Sequence, residues 1–214
     1  MKNQKGFYKA VFLLVLFAVW TGLVCCIDVQ PIGPRGAEVG FATLNGWMHS
    51  LIGVNMSLYT ITDWLGLLPI AIAGGFGICG FMQWIKRKKL WKVDRSILIL
   101  GCFYAAVIAV YVFFEWIPVN DRPVLIENRL EASYPSSTTV LTLCVTVTAL
   151  MQWKRRISNK MFRRFLQFAD IVFIAFMVLG RLLSGVHWIT DIIGGGLISA
   201  GLILLYQWAV DSQN

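Results

Sequence analysis

The sequence predicts an all-α integral membrane protein of six transmembrane helices, folded as a single domain over residues 1–214. Three observations predict it. Hydrophobic residues make up 57% of the chain and charged residues only 14%, against about 25% charged in an ordinary soluble domain. Uncharged runs recur along the chain, each near the ~20 residues that crossing a hydrocarbon core demands. Basic residues gather in alternate connections between those runs, as they do in cytoplasmic loops. Together with a mean hydropathy of +0.69, this excludes a soluble globule, a disordered chain, collagen and a coiled coil.

Taken in order, the first run is Ala10–Ile27, preceded by Lys2, Lys5 and Lys9. Its 18 residues and the lack of a small-x-small cleavage site after it predict a retained helix rather than a secretion signal. The segment 28–62 is the longest outer loop and opens on Pro31, Gly33, Pro34 and Gly36. Within it Leu44, Trp47, Met48, Leu51 and Ile52 recur at helical spacing, opposite Asn45, His49, Ser50 and Gly53. That pattern predicts a short helix lying in the membrane interface or packed over the bundle. The second and third spans are Trp64–Ile85 and Ser96–Phe114. The fourth run, Ala132–Trp153, begins with a Ser/Pro/Thr stretch, which moves the predicted helix start to about Thr138. The fifth, from Phe165 to Leu179, is interrupted only by Asp170, and the sixth is Ile192–Val210.

Of the 19 lysines and arginines, all but four lie in three stretches. These are the N-terminus, the loop holding Lys86, Arg87, Lys88, Lys89, Lys92 and Arg95, and the loop holding Lys154, Arg155, Arg156, Lys160, Arg163 and Arg164. The positive-inside rule places these stretches, and with six spans both termini, in the cytoplasm. The net charge of +8 then records topology and contact with anionic lipid, not nucleic acid. The four remaining cations, Arg35, Arg122, Arg129 and Arg181, are all arginines on the opposite, extracytoplasmic side. A fork of guanidinium donors suits a phosphoryl group better than the point charge of lysine.

Five cysteines sit in apolar runs without metal-ligand spacing and read as small buried hydrophobes. The glycines at 74, 75, 77 and 80, and at 194–196, follow no strand, so they form no nucleotide-binding loop.

Three short stretches converge on the outer face: Asn120-Asp121-Arg122-Pro123, Tyr134-Pro135-Ser136-Ser137-Thr138, and Gly180-Arg181 through His187 to Asp191. His187 and Asp191 are four apart at a helix start, so their side chains share one face. A carboxylate on one ring nitrogen fixes the imidazole tautomer and leaves the other nitrogen as a nucleophile.

These stretches, with their order and the six spans, resemble the type-2 phosphatidic acid phosphatases, integral membrane lipid phosphatases related to vanadium haloperoxidases. The family's third motif, Ser-Arg, five residues, His, three residues, Asp, reads here Gly180-Arg181, Leu182 to Val186, His187, Trp188 to Thr190, Asp191. The resemblance implies a phosphatase that needs no metal or other cofactor. In it His187 attacks phosphorus, Asp191 orients His187, and Arg122 and Arg181 hold the phosphoryl oxygens. Ser136, Ser137 and Thr138 would complete the phosphate cradle. The implied partners are a membrane lipid phosphate or diphosphate and the bilayer itself; the sequence does not define the oligomeric state.

Two positions depart from the family pattern. The first motif's lysine is replaced by Glu115, and the histidine of Pro-Ser-Gly-His, the family's general acid, by Thr138. Arg129 is a candidate for the lost charge, or else a rim arginine paired with Glu127 or Glu131. His49 is the sole other histidine. Without a positioned acid, expulsion of an alkoxide, whose conjugate acid has a pKa near 15.7, suffers more than expulsion of a phosphate monoester, whose second pKa is about 6. This favours diphosphate lipids such as undecaprenyl diphosphate over phosphatidic acid. The alternatives are a catalytically weakened relative that binds or moves a phospholipid headgroup, and an unrelated small transporter.

Overall fold

In the computed structural model, which describes residues 2–212, the chain is helical throughout its long segments. The first helix, α1 (Lys2–Cys26), leads into a loop and then α2 (Ala42–Ile52) and α3 (Met56–Leu65). After Gly66 the chain continues as α4 (Leu67–Arg87), followed by α5 (Arg95–Trp116), α6 (Ser137–Arg156), α7 (Lys160–Leu183) and α8 (Ile189–Asp211).

Local chemistry sets the helix ends. Asn55 caps α3 by accepting from the Leu58 N–H at 3.0 Å. Asn159 caps α7 through the Met161 and Phe162 amides. In each case a side-chain oxygen satisfies first-turn donors that have no partner inside the helix. Helix α5 stops at Ile117, whose successor Pro118 disfavours helical backbone at that residue. The sequence places the fourth helix start near Thr138, and α6 begins one residue earlier.

Among the described residues, five stretches are long and apolar enough to cross a membrane: α1, α3 and α4 taken together, α5, α7 and α8. Helix α6 falls short because its buried side chains include Thr138, Thr139, Thr142, Thr146, Thr148 and Gln152. It occupies the middle of the bundle, packed against α4, α5, α7 and α8, so these hydroxyls meet protein instead of lipid. Several are satisfied within the helix, as Thr146 donates to the Thr142 carbonyl and Thr148 to that of Cys144.

Helix α1 lies antiparallel along α8. Ala10, Phe17 and Val24 are buried at seven-residue spacing, one stripe of the helix. Phe7 meets Trp208 near the far end of α8, while Trp20 Nε1 donates to the Thr190 carbonyl near its start. The main apolar cluster joins Phe17 and Val24 to Leu100, Phe103, Tyr134, Leu202 and Tyr206.

The basic loops gather at one end of this bundle. There Arg87 and Arg156 pair with Asp94, and Arg155 with Asp211. The opposite end carries α2, α3, the start of α6, the α7–α8 turn and a narrow hairpin formed by residues 121–132. In the hairpin Asp121 pairs with Ala132 and Ile126 with Arg129, and left-handed Glu127 and Asn128 make the turn. The short helix expected in the outer loop is α2, and Asn45 roots it in the bundle. That side chain is buried and donates to the Gly40 carbonyl and to Thr190 Oγ1 at 2.7 and 3.0 Å. Trp47 and Leu51 remain exposed on its other side.

Candidate active site

The turn between α7 and α8 sets the central residue. His187 is only 4% exposed. Gly185, at φ +68°, turns the chain so tightly against the Gly53 backbone that a Cβ there would lie 1.9 Å from the Gly53 oxygen. Beyond the turn, Asp191 sits in the first turn of α8, where its Oδ2 accepts from the Trp188 N–H at 2.9 Å. A carboxylate in that place both caps the helix and complements its dipole. The same Oδ2 lies 3.6 Å from His187 Nδ1. Asn120 Nδ2 approaches the other oxygen at 3.4 Å. The carboxylate is therefore fixed from two sides with its second function directed at the imidazole.

Neither ring nitrogen of His187 completes a hydrogen bond. Burial, then the charges of Arg122 and Arg181, hold its pKa well below the ordinary histidine range, with the Ser133 backbone opposing slightly. The imidazole is neutral at pH 7. With Nδ1 beside Asp191, Nε2 is the ring nitrogen that Asp191 leaves free.

Two arginines flank it. Arg181, 2% exposed, donates from Nη2 to Asp63 Oδ1 at 3.0 Å and also to Thr138 Oγ1. Its Nε and Nη1 have no partner. Arg122 is drawn back toward the hairpin by Glu131, with Nε 3.1 Å from Oε2, and its Nη1 is unpartnered. Buried donors left without acceptors are costly. Here they belong to two cations around a neutral imidazole, an arrangement that suits a phosphoryl group, which supplies several anionic acceptors at once.

Thr138 joins this set through Arg181, and Ser137 stands beside it at the first turn of α6. Ser136 is used differently: its N–H donates to the Asp191 carbonyl at 3.2 Å and its Oγ accepts from Thr139 at 3.0 Å. Its groups stitch α6 to α8 rather than facing a ligand. Arg129 stands exposed at the hairpin turn, exchanging backbone hydrogen bonds with Ile126, and no side-chain hydrogen bond or ion pair ties it to Arg122, Arg181, His187 or Asp191 among the described residues. His49 packs its ring edge-on to Trp188 with centroids 5.5 Å apart. Burial lowers its pKa as well.

Tyr59 and Asp63 carry no motif signal, and Asn120 stands in the first of the three stretches without an assigned role. Tyr59 has Arg181 and Arg122 over its ring at 5.0 and 5.9 Å. Asn120 accepts from the Gly40 N–H while approaching Asp191 and Thr190. Helical spacing puts Tyr59 and Asp63 on one face of α3, a readable pattern that says nothing of what the face meets. A cavity of about 390 Å³ opens beside Thr138. Its walls are largely apolar, from Ile70 on α4, Val107 and Phe114 on α5 and Leu141 on α6, with Ser133, Ser137 and Glu115 among its few polar groups.

The fold and these charged residues define a membrane phosphatase architecture, and comparison gives it a family. The family model of the PAP2 superfamily matches residues 103–214, and the chain belongs to that superfamily. Among solved structures it is similar to the transmembrane PAP2-type phosphatidylglycerolphosphate phosphatase from Bacillus subtilis. The TM-score is 0.61 at 19% identity, over 96% of each chain. No curated protein matches by sequence.

Proposed function

We propose that the chain is a six-span lipid phosphatase working through a phosphohistidine, with its site on the extracytoplasmic face. One observation carries this reading: a buried neutral histidine, oriented by a carboxylate, stands with two arginines whose inner donors are unpartnered, beside an apolar cavity. The twenty residues of α6, about 30 Å of helix at 1.5 Å per residue, reach across a hydrocarbon core and supply the sixth span. Basic loops at the opposite end support the orientation.

In the reaction, His187 Nε2 forms a bond to phosphorus as the bond from phosphorus to the lipid oxygen breaks, the electron pair leaving with the lipid. Asp191 stabilises the Nδ1–H that carries the growing positive charge. Arg122 and Arg181 match charge on the equatorial oxygens, which accumulates in the transition state. Water then cleaves the phosphohistidine, releasing phosphate and restoring the imidazole. The apolar cavity receives the lipid chain next to the phosphoryl site.

Thr138 hydrogen-bonds Arg181 but is no acid at neutral pH, which supports preference for a leaving group that departs without a proton. Diphosphate lipids of the undecaprenyl type fit that requirement. A second reading rests on Glu115, a residue that lines the cavity: an acidic side chain there disfavours a second phosphate and so favours a lipid phosphate monoester. The test is phosphate release by detergent-purified protein in EDTA. Undecaprenyl diphosphate and phosphatidic acid are compared for wild type and His187→Ala. Faster release from the diphosphate, abolished in the variant, is expected. Faster release from phosphatidic acid selects the second reading, and no release above the variant rejects the enzyme in favour of a headgroup-binding relative.

A further inference from the structure

Outside the stretch 103–214 that matches the family, one face of α3 touches both phosphate-binding arginines. Tyr59 lies under the Arg181 and Arg122 guanidinium groups, and Asp63, one helical turn on, pairs with Arg181. The two cations are like-charged and both act on His187. Bringing them together before substrate binds is unfavourable unless something offsets their repulsion. The negative face of an aromatic ring does so without consuming an N–H donor. Asp63 engages Nη2 alone, leaving Nε and Nη1 unpartnered.

The packing of α3 explains the chain's departure at the head of the third motif. A Cβ at Gly180 would lie 2.7 Å from the Thr62 methyl. The residue before Arg181 is thus small where α3 comes closest, and Thr62 is followed directly by Asp63.

We infer that Tyr59 and Asp63 are positioning residues that hold the Arg122 and Arg181 forks ready for a phosphoryl group. Tyr59 keeps the two cations together through its ring, and Asp63 sets the rotation of Arg181. This rests on the lipid phosphatase reading for its turnover arm only; anion binding tests it separately.

The experiment titrates inorganic phosphate calorimetrically into the detergent-purified full chain and measures kcat and KM on the better lipid substrate. Tyr59→Leu is expected to weaken phosphate binding about ten-fold, while Tyr59→Phe, which keeps the ring, restores it to within about two-fold of wild type. Asp63→Asn is expected to lower kcat about ten-fold without weakening phosphate binding, because removing a competing anion offsets the loss of orientation. A merely structural role would lower the unfolding temperature and reduce affinity and turnover together.

Tyr59→Leu binding phosphate like wild type overturns the inference, as does equal loss of ring-dependent binding in Tyr59→Phe. Asp63→Asn is isosteric at an exposed position, so it decides the matter if Tyr59→Leu does not fold. Wild-type turnover with unaffected variants rejects the inference and leaves the phosphatase standing. Ring-dependent phosphate binding without lipid hydrolysis rejects the phosphatase and keeps the inference. A wild type that neither binds phosphate nor hydrolyses lipid rejects both.

Discussion

The stretch from α5 to α8 and the stretch from α1 to α4 contribute to the same site in different ways. The first supplies the groups assigned to the reaction: Arg122, Thr138, Arg181, His187 and Asp191. The second supplies what holds them. Trp20, Asn45 and Asn120 converge on Thr190, one residue before Asp191, and only Asn120 comes from the same stretch. Gly53 backs the turn before His187, and α3 braces the arginines. Chemistry restricts the reacting groups to a few residue types at fixed spacing. A brace needs only shape and a hydrogen bond, so many residues serve and no motif marks them.

If that division holds, substitutions of the reacting groups should remove turnover with little effect on folding, and those of residues that only pack around the α7–α8 turn should show up first in stability. Tyr59 and Asp63, which touch the arginines, should act on binding and turnover. The largest effect is expected for His187→Ala, a loss in kcat of about 10,000-fold or more because the attacking atom is gone. Phosphate release with the unfolding temperature recorded alongside checks it; a large drop in that temperature would break the comparison. Next comes Arg181→Lys, which keeps the charge but loses the fork that reaches Asp63, Thr138 and the phosphoryl oxygens. A fall of about 100-fold in kcat/KM is expected.

Asn45→Ala tests the other side. It removes the buried hydrogen bond to the Gly40 carbonyl and the shorter of the two to Thr190 Oγ1, costing about 1–2 kcal/mol, read as a lower unfolding temperature in detergent. Turnover of the fraction that remains folded should fall by no more than about ten-fold. Gly180→Ser sharpens the boundary. The added Cβ must push Thr62 aside, and an overpacking cost of about 1–3 kcal/mol is expected, again from the unfolding temperature.

The smallest effect is a shift in pH dependence. Because the His187 pKa is lowered, the imidazole stays neutral well below pH 6.5, and protonation on the acid side removes the nucleophile. The acid limb of kcat/KM assigned to His187 therefore lies below 6.5. Arg122→Gln removes one of the two charges that oppose protonation, so the limb should move to higher pH by a fraction of a unit. Burial, the larger cause, is unchanged. The position of the limb, not the residual rate, is the measurement, and a move to lower pH would contradict the electrostatic account.

Much of this protein could be read from the sequence. The helix-length apolar runs and the basic connections follow from what a bilayer demands of any chain, so hydropathy and charge announced them. The His187-Asp191 pairing follows from helix spacing, Arg181 from its place among the outer-face arginines and in the family motif, and the start of α6 from its Ser/Pro/Thr lead. Helix α6 is long enough to span but less apolar than the others, because its threonines face other helices; burial in protein instead of lipid is a property of the assembled bundle. The use of Ser136 as a seam, the exposed hairpin turn that carries Arg129, and the approach of Tyr59 and Asp63 to the arginines were likewise decided by tertiary packing. The physical reason is the same in each case. Periodicity fixes which residues share a face, whereas what that face meets depends on contacts between segments distant in the sequence, as with Ser136 and Asp191 or Arg181 and Asp63.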